Sequence, residues 1–200
     1  MTGPHHQDYA GAKLGMWLFL ATEVILFGGL FLLYAVYLTR YPHEFAAAGR
    51  EMHVVFGTVN TVILITSSLL AAMAVTAIQR DESKTALRCL GGTVFCGAFF
   101  LCNKYFEWSA EIGQGIYPNS SRLTAGPPGE SVFFSLYYLT LGLHGLHVLI
   151  GTALLAVVAA RVQQRSIHAG NYALVENSAL YWHLVDLIWI FIFPLYYLLL

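Results

Sequence analysis

Hydrophobic residues form five long runs along the chain, and short polar segments separate these runs. The runs cover roughly residues 13–38, 52–78, 86–108, 130–161 and 176–199. About 20 helical residues cross a bilayer core, so each run is long enough to span a membrane. The polar segments carry the Pro, Gly, Asn and charged residues that end helices. The pattern predicts an all-α fold, a polytopic membrane helix bundle with five transmembrane helices in a single membrane domain over residues 1–200.

The composition also indicates an integral membrane protein. Hydrophobic residues make up 58% of the chain and charged residues 10%, with a mean hydropathy of +0.63. A soluble domain carries roughly 25% charged residues. The formal net charge is −1 and the ten Lys and Arg residues are scattered singly, so the chain lacks the basic face that a nucleic-acid partner needs. We interpret Cys89, Cys96 and Cys102 as small apolar residues rather than as a disulfide or metal set.

The basic residues near the ends of the runs predict the orientation of the chain. The side of the amino terminus carries Lys13, Arg80, Lys84, Arg88, Arg161 and Arg165, whereas the other side carries Arg40, Arg50 and Arg122. Cytoplasmic loops of membrane proteins are enriched in Lys and Arg. We therefore expect the amino terminus in the cytoplasm and, after five crossings, the carboxyl terminus outside.

Glu23 lies near the middle of the first run, which has no other charged residue between Lys13 and Arg40. An ionisable group at that depth is costly unless it is protonated or paired, and it is a functional-site candidate by default. The residues leave two interpretations open. Glu23 either handles protons at a water-accessible position, or it is a protonated carboxylic acid that bonds a neighbouring helix without proton traffic.

Six more polar residues inside the runs form pairs with a spacing of three. The pairs are His144 with His147, His183 with Asp186, and Lys104 with Glu107. Residues at this spacing share a helix face, so the members of a pair can form a hydrogen bond or an ion pair. Lipid offers such groups no partner, so their faces are expected to meet other helices or a wet crevice. Small residues beside them would let another helix come close, namely Gly142, Gly145 and Gly151.

The chemistry of these residues admits several functions. Imidazole is a common ligand of haem iron and copper, but two histidines three residues apart do not easily reach opposite faces of one haem. The Glu-x-x-His pairs of di-iron bundles are also absent from the sequence. Neutral histidines that bond across helices are the favoured interpretation. A stand-alone proton or solute transporter built around Glu23 remains open, although the runs lack the internal repeat that many transporters have.

Three stretches of the chain resemble subunit III of the haem-copper oxidases, in particular that of bacterial cytochrome c oxidases. They are KLGMWLFLATEVILFGGLF, GLHGLHVLIG and YWHLVDLIWIFIFPLYYL, and the order and separation of the last two also match. The resemblance covers nearly the full chain. It implies an accessory subunit that carries no haem or copper, so that none of the histidines is a metal ligand.

The resemblance also implies partners and roles. The chain would bind catalytic subunit I directly, together with subunit II, other oxidase subunits and membrane lipids, in the bacterial inner membrane. The complex would pass electrons from cytochrome c to oxygen and pump protons, with haem and copper in the partner subunits. Glu23 stands at the position of the family's carbodiimide-reactive carboxylate. The other matching polar positions are Glu107, His144, His147, His183 and Asp186.

One departure from the longer family members concerns bound lipid. Those members have seven helices, and this chain begins where their third helix begins, so the resemblance implies the short five-helix form. Phospholipid in the longer members lies between the first two helices and the other five. Bound phospholipid is therefore expected here if a partner subunit supplies the missing pair. Subunit III of a quinol oxidase, or a relative associated with nitric oxide reductase, remains the alternative, since the electron donor is not indicated.

Overall fold

The computed structural model describes residues 4–198, and it describes side chains from residue 11 onward. Its elements are α1 (Pro4–Arg40), α2 (Pro42–Gly49), α3 (Val54–Gln79), α4 (Ser83–Gly113), α5 (Ser121–Ala125), α6 (Pro128–Gln163), α7 (Ala173–Phe193) and a π-helical turn (Pro194–Leu198). The described residues contain no strand, apart from one isolated bridge between His168 and Asn171. The prediction of an all-α fold is confirmed.

Five of the helices are long and apolar enough to cross a membrane, namely α1, α3, α4, α6 and α7 with its terminal turn. They correspond to the five predicted runs, although residue 199, the predicted end of the last run, lies outside the described residues. The third run was expected to end at residue 108, but α4 continues to Gly113. The extra residues remain helical because the side chain of Glu111 is buried and hydrogen-bonded to α6.

Two short helices in the links are not indicated by the hydrophobic pattern. Helix α2 begins with Pro42, whose fixed φ suits a first helical position. Helix α5 follows Ser120, whose Oγ accepts a hydrogen bond from the backbone N–H of Leu123 at 3.2 Å. Local capping signals of this kind specify short helices independently of any apolar period.

The last predicted helix changes from α-helical to π-helical geometry at Pro194. Proline has no N–H to donate, and α7 ends at Phe193. The chain continues as a π-helical turn, a wider geometry in which Tyr196 and Tyr197 are both buried. This turn brings the Tyr197 hydroxyl within hydrogen-bonding distance of Lys104 and Glu107 on α4.

Helices α3, α4, α6 and α7 form the body of the bundle. Helix α3 packs against α4 and α7, and α6 packs against the same two helices, so α3 and α6 occupy opposite corners. Helix α1 lies at the edge on α6 and α7 and is the least buried of the five spanning helices.

Trp182 of α7 fills the centre of this arrangement. A Cβ atom built on Gly97 of α4 or on Gly151 of α6 would each lie 2.8 Å from an atom of the Trp182 ring. The indole N–H of Trp182 donates to Ser67 Oγ of α3 at 3.0 Å. The two glycines thus allow one large side chain to contact three helices.

The close approach expected at Gly142 and Gly145 of α6 does not occur within the described residues. A Cβ on Gly145 would have no neighbour within 4 Å, and one on Gly142 would meet only Trp108, at 3.6 Å. Both glycines line a surface groove between α4 and α6. The expectation was wrong for them because they face away from the bundle axis.

The links between the spanning helices lie at the two ends of the bundle, because each crossing takes the chain from one end to the other. At the end of the amino terminus, Lys13 Nζ lies 2.8 Å from Glu176 Oε1 at the start of α7. The α3–α4 turn and the α6–α7 link also share a surface cavity at that end, lined among others by Lys84 and Arg165. At the opposite end, Arg122 Nη2 lies 2.8 Å from a carboxylate oxygen of Glu51.

Candidate functional site

Glu23 of α1 pairs with His147 of α6 inside the membrane span. Glu23 Oε2 lies 2.9 Å from His147 Nε2, and the two side chains are 13% and 11% exposed. The other ring nitrogen, Nδ1, lies 2.8 Å from the carbonyl oxygen of Leu143. A carbonyl only accepts hydrogen bonds, so Nδ1 carries a hydrogen. Nε2 then either accepts a hydrogen from neutral Glu23 or donates one to its carboxylate, and in both cases the pair is neutral and holds one proton between these two atoms.

Aromatic rings cover the bundle side of this pair. Phe27 meets the His147 ring edge-on, with centroids 5.4 Å apart, and Tyr181 lies alongside it at 6.4 Å. The hydroxyl of Tyr181 donates to the backbone oxygen of His147 at 3.2 Å. The neighbouring residue Val24 is exposed on the outer face of α1. Aromatic rings therefore cover the pair toward the core, while α1 presents exposed apolar side chains on its outer face.

A second polar cluster joins α4 to α6 and the terminal turn. Lys104 Nζ lies 2.8 Å from Glu107 Oε2, 2.6 Å from Tyr197 Oη and 3.4 Å from Tyr137 Oη. Tyr197 in turn donates to Glu107 Oε1 at 2.6 Å. All four side chains are buried. A buried ion pair is tolerated when further hydrogen bonds satisfy both ions, which is the case here.

Glu111 belongs to the same cluster, although it does not contact Lys104 directly. Tyr137 Oη lies 2.9 Å from Glu111 Oε1 and Tyr138 Oη lies 3.0 Å from Glu111 Oε2. The Tyr138 hydroxyl also lies 2.7 Å from the carbonyl oxygen of Ile116. Each hydroxyl has one hydrogen, so a Tyr138 hydroxyl that donates to Ile116 in the shorter contact can only accept from Glu111. The cluster is neutral and fully bonded when Lys104 and Glu107 are ionised and Glu111 carries a proton on Oε2.

His144 does not bond to His147. Its ring is buried between Phe100, at 5.5 Å, and Trp189, at 5.2 Å, and neither ring nitrogen has a hydrogen-bonding partner among residues 11–198. Side chains three residues apart on a helix differ in direction by about 60°. That angle turns His147 toward α1 and His144 toward α4 and α7.

The expected bond between His183 and Asp186 does not form either. His183 Nδ1 bonds Ser68 Oγ of α3 at 2.7 Å. Neither carboxyl oxygen of Asp186 has a hydrogen bond within the described part of the chain, although Ser68 is near enough to influence this group. Of the three pairs with this spacing, only Lys104 and Glu107 bond to each other.

A family model for cytochrome c oxidase subunit III matches residues 1–199. The chain belongs to the cytochrome c oxidase subunit III family. The resemblance drawn from the three sequence stretches is confirmed. The chain is therefore the subunit III of a haem-copper oxidase, a multi-pass membrane protein within an oxidoreductase complex that contains further oxidase subunits.

Similar proteins include members named for two electron donors. The cytochrome c oxidase subunit 3 of Thermostichus vulcanus is 35% identical over 196 residues, which cover 97% of this chain and 89% of that protein. The cytochrome bo(3) ubiquinol oxidase subunit 3 of Pseudomonas aeruginosa is 29% identical over 196 residues, 96% of this chain and 87% of that protein.

A third relative joins two subunits in one chain. The heme-copper oxidase subunit I+III of Aeropyrum pernix is 34% identical over 193 residues, 93% of this chain. Those residues span only 22% of the length of that relative.

The described residues of this subunit III chain contain no group of side chains placed to bind a metal ion together. Within that part, no cluster of three or more His, Cys, Asp and Glu residues is arranged to hold a metal ion. His144, His147 and His183 each face a different helix or aromatic neighbour. The absence of haem and copper from this chain remains a prediction.

Glu111 is the member of the buried cluster that the hydrophobic pattern does not indicate, because it follows the predicted end of the third run. A helical spacing does point to it. Lys104, Glu107 and Glu111 lie at positions i, i+3 and i+7 of one helix, which places all three on one face. An extension of the run by one turn would have brought Glu111 into the set.

Proposed function

We propose that this chain is the accessory, cofactor-free subunit III of a proton-pumping cytochrome c oxidase in an aerobic respiratory chain. In this role it supports the stability and the proton uptake of catalytic subunit I, which together with its partners holds the haem and copper. The observation that carries the proposal is the match of the subunit III family model to residues 1–199. Cytochrome c is proposed as the electron donor on the 35% identity to the Thermostichus vulcanus protein.

The packing of the bundle supports an accessory role over that of a stand-alone transporter. A transporter needs a binding site between its helices that opens alternately to each side. The space between α4, α6 and α7 is filled instead by fully buried Trp182, Trp189 and Phe100. The Lys104 cluster is closed by its own hydrogen bonds, and the Glu23–His147 pair lies at the edge of the bundle.

In this proposal Glu23 and His147 form a proton-holding pair at the surface of the subunit. Glu23 is reachable from the membrane side and shares one proton with His147. An apolar carbodiimide that dissolves in the bilayer would reach this carboxyl group more readily than those of the enclosed Glu107 and Glu111. The pair also holds α1 against α6, and this is a structural role that does not depend on proton transfer.

We propose that the subunit lies in a bacterial inner membrane, with the amino terminus in the cytoplasm and the carboxyl terminus outside. The excess of Lys and Arg on the amino-terminal side supports this orientation. Bound phospholipid and contacts with subunit I and subunit II belong to the same proposal. A protease-cleavable tag would be placed at each terminus, and protease would be added to sealed right-side-out vesicles. We expect cleavage of the carboxyl-terminal tag only; cleavage of the amino-terminal tag instead would reverse the proposed orientation.

Purification of the tagged chain from native membranes in mild detergent tests the proposed function. A reduced-minus-oxidised visible spectrum would be recorded, with oxygen consumption measured on cytochrome c and on quinol. Haem with cytochrome c oxidation is the expected result. Haem with quinol oxidation alone would assign the chain to a quinol oxidase. A haem-free chain that purifies without other subunits would instead support the hypothesis of a stand-alone transporter. Membranes with an untagged chain provide the control for haem proteins that bind the resin.

A further inference from the structure

A groove between α3 and α7 combines a polar floor with apolar rims. Its volume is about 370 Å³, and it is lined by Ile65, Ser68, Leu69, Ala72, His183, Asp186, Leu187 and Ile190. The four large aliphatic side chains of this set are exposed. The adjacent groove between α1 and α7 shares Leu187 but has no polar lining residue. The α3–α7 groove thus differs from its neighbour by the presence of His183, Asp186 and Ser68.

The polar floor has unused hydrogen-bonding capacity. His183 Nδ1 bonds Ser68, and no hydrogen bond involves His183 Nε2 within residues 11–198. The His183 ring is half-exposed, so this nitrogen is available to a neighbour in the groove. Asp186 is only 5% exposed, and neither of its oxygens is bonded within the same residues. A polar side chain without a partner is costly in hydrocarbon, so the groove is incomplete in the single chain.

The depth of these residues restricts what can complete the groove. Asp186 lies 13 residues after Ala173 and 12 before Leu198, near the middle of its spanning segment. With a rise of about 1.5 Å per residue, roughly 18 Å separates it from the nearer end. Ser68 is likewise central in α3, 14 residues after Val54 and 11 before Gln79. Lipid head groups stay at the membrane surface and acyl chains form no hydrogen bonds, so a lipid does not satisfy this floor.

We propose that the α3–α7 groove seats a transmembrane helix of catalytic subunit I, and that a polar side chain of this helix hydrogen-bonds His183 Nε2. The inference rests on the proposed function, because it takes the partner from the oxidase complex. A spanning helix is an occupant that brings both apolar side chains for the rims and a polar group at mid-membrane depth. Ala72 in the groove allows a close approach of the two backbones.

The relative from Aeropyrum pernix supports subunit I as the source of this helix. Its name joins subunits I and III in one chain, and the residues that match our chain make up 22% of its length. Because the two subunits share one polypeptide in that relative, this inference takes subunit I as the partner. The groove gives that contact a defined place on subunit III.

Site-specific photocrosslinking in the intact complex tests the position of the partner. Benzoylphenylalanine would replace Leu69 at the rim of the groove, which is 62% exposed. The matched control is Leu149 of α6, which is 54% exposed and belongs to the helix at the opposite corner of the bundle. We expect the Leu69 probe to give an adduct with a transmembrane peptide of subunit I that the Leu149 probe does not give. Adducts of the Leu69 probe with lipid, with another subunit or with a second copy of this chain would overturn the inference.

Substitution of His183 tests the hydrogen bond. His183→Leu removes Nε2, whereas Ser68→Ala keeps Nε2 and removes the internal bond to Nδ1 together with the hydroxyl beside Asp186. Polar contacts between membrane helices are modest, so we expect His183→Leu to lower the fraction of subunit III retained on the haem complex at raised detergent about threefold. Ser68→Ala should retain close to the native fraction. Equal losses in both variants would assign the effect to the internal bond and would refute the docking contact.

The two proposals fail in different ways. If the tagged chain purifies without haem, the proposed function is wrong, and the docking inference fails with it because its partner comes from the oxidase complex. If the chain purifies with haem but the Leu69 probe labels only lipid, the proposed function stands and the docking site is wrong. The crosslinking arm uses native His183, so it decides the question even if His183→Leu does not fold.

Discussion

Glu23 Oε2 of α1 lies 2.9 Å from His147 Nε2 of α6, near the middle of two helices that are long enough to span a membrane. This contact is flanked along α1 by the ion pair of Lys13 with Glu176 and by a hydrogen bond from Tyr34 Oη to the backbone oxygen of Leu195 at 2.6 Å. Helix α1 is otherwise the least buried spanning helix. Polar contacts at three depths therefore orient a helix whose apolar surface alone would leave it free to rotate in lipid.

Glu23→Gln should leave the complex assembled and abolish carbodiimide labelling of this subunit. Glutamine retains a hydrogen-bond donor for His147 but has no carboxyl group to react. Labelling would be located by mass spectrometry of the purified complex. Glu111→Gln is the matched control, since Glu111 is buried whereas the Glu23 side chain is 13% exposed, and its loss should leave labelling intact. Labelling that persists in Glu23→Gln would move the reactive group to Asp186 or Glu107.

Glu107→Gln should destabilise the subunit far more than Glu111→Gln. Glu107 contacts Lys104 directly at 2.8 Å, so its neutralisation leaves a buried ammonium group without an anion. The expected loss is about 3–5 kcal/mol in the free energy of unfolding. Glutamine resembles a neutral carboxylic acid, so Glu111→Gln should cost about 1 kcal/mol or less. Unfolding in mixed micelles would measure both losses, and equal values would contradict the assignment of the proton to Glu111.

The two histidines of the GLHGLHVLIG stretch should respond oppositely to leucine. His144 has no hydrogen-bonding partner among residues 11–198, so His144→Leu removes no bond and replaces a buried polar ring with an apolar side chain. We expect unchanged or slightly higher stability. His147→Leu leaves Glu23 without its partner and should lower the free energy of unfolding by about 3 kcal/mol. The same micelle titration distinguishes them, and a large loss in His144→Leu would reveal a hidden partner for that ring.

Gly151→Ala should destabilise the bundle, whereas Gly145→Ala should not. The new Cβ at residue 151 would lie 2.8 Å from Trp182 Cε3, which is too close for unstrained packing. Overpacking of this kind costs about 1–3 kcal/mol. The Cβ at residue 145 would have no neighbour within 4 Å, and alanine is the better helix former. Thermal unfolding followed by tryptophan fluorescence would show a lower midpoint for Gly151→Ala only. Equal midpoints for the two variants would argue against close packing of residue 151 on Trp182.

Glu111 illustrates a limit of hydrophobic patterning. Patterning places the ends of a helix where apolar residues stop, and the sequence around residue 108 becomes polar. The helix continues because Tyr137 and Tyr138 of α6 supply hydrogen bonds to a carboxyl group that would otherwise end up in hydrocarbon. These partners lie 26 and 27 residues further along the chain, beyond the reach of any local signal.

The sequence alone determined five apolar helices long enough to cross a membrane, the position of each polar residue along them and the family. The first two follow from length and solvation, since hydrocarbon excludes unbonded backbone and requires a long apolar helix wherever the chain crosses it. The partners of the polar residues were decided only by the tertiary structure. A spacing of three residues still leaves about 60° between two side chains, so His144 and His147 face different helices. Each polar group then bonds whatever the neighbouring helix provides, as Glu23 does with a histidine 124 residues away.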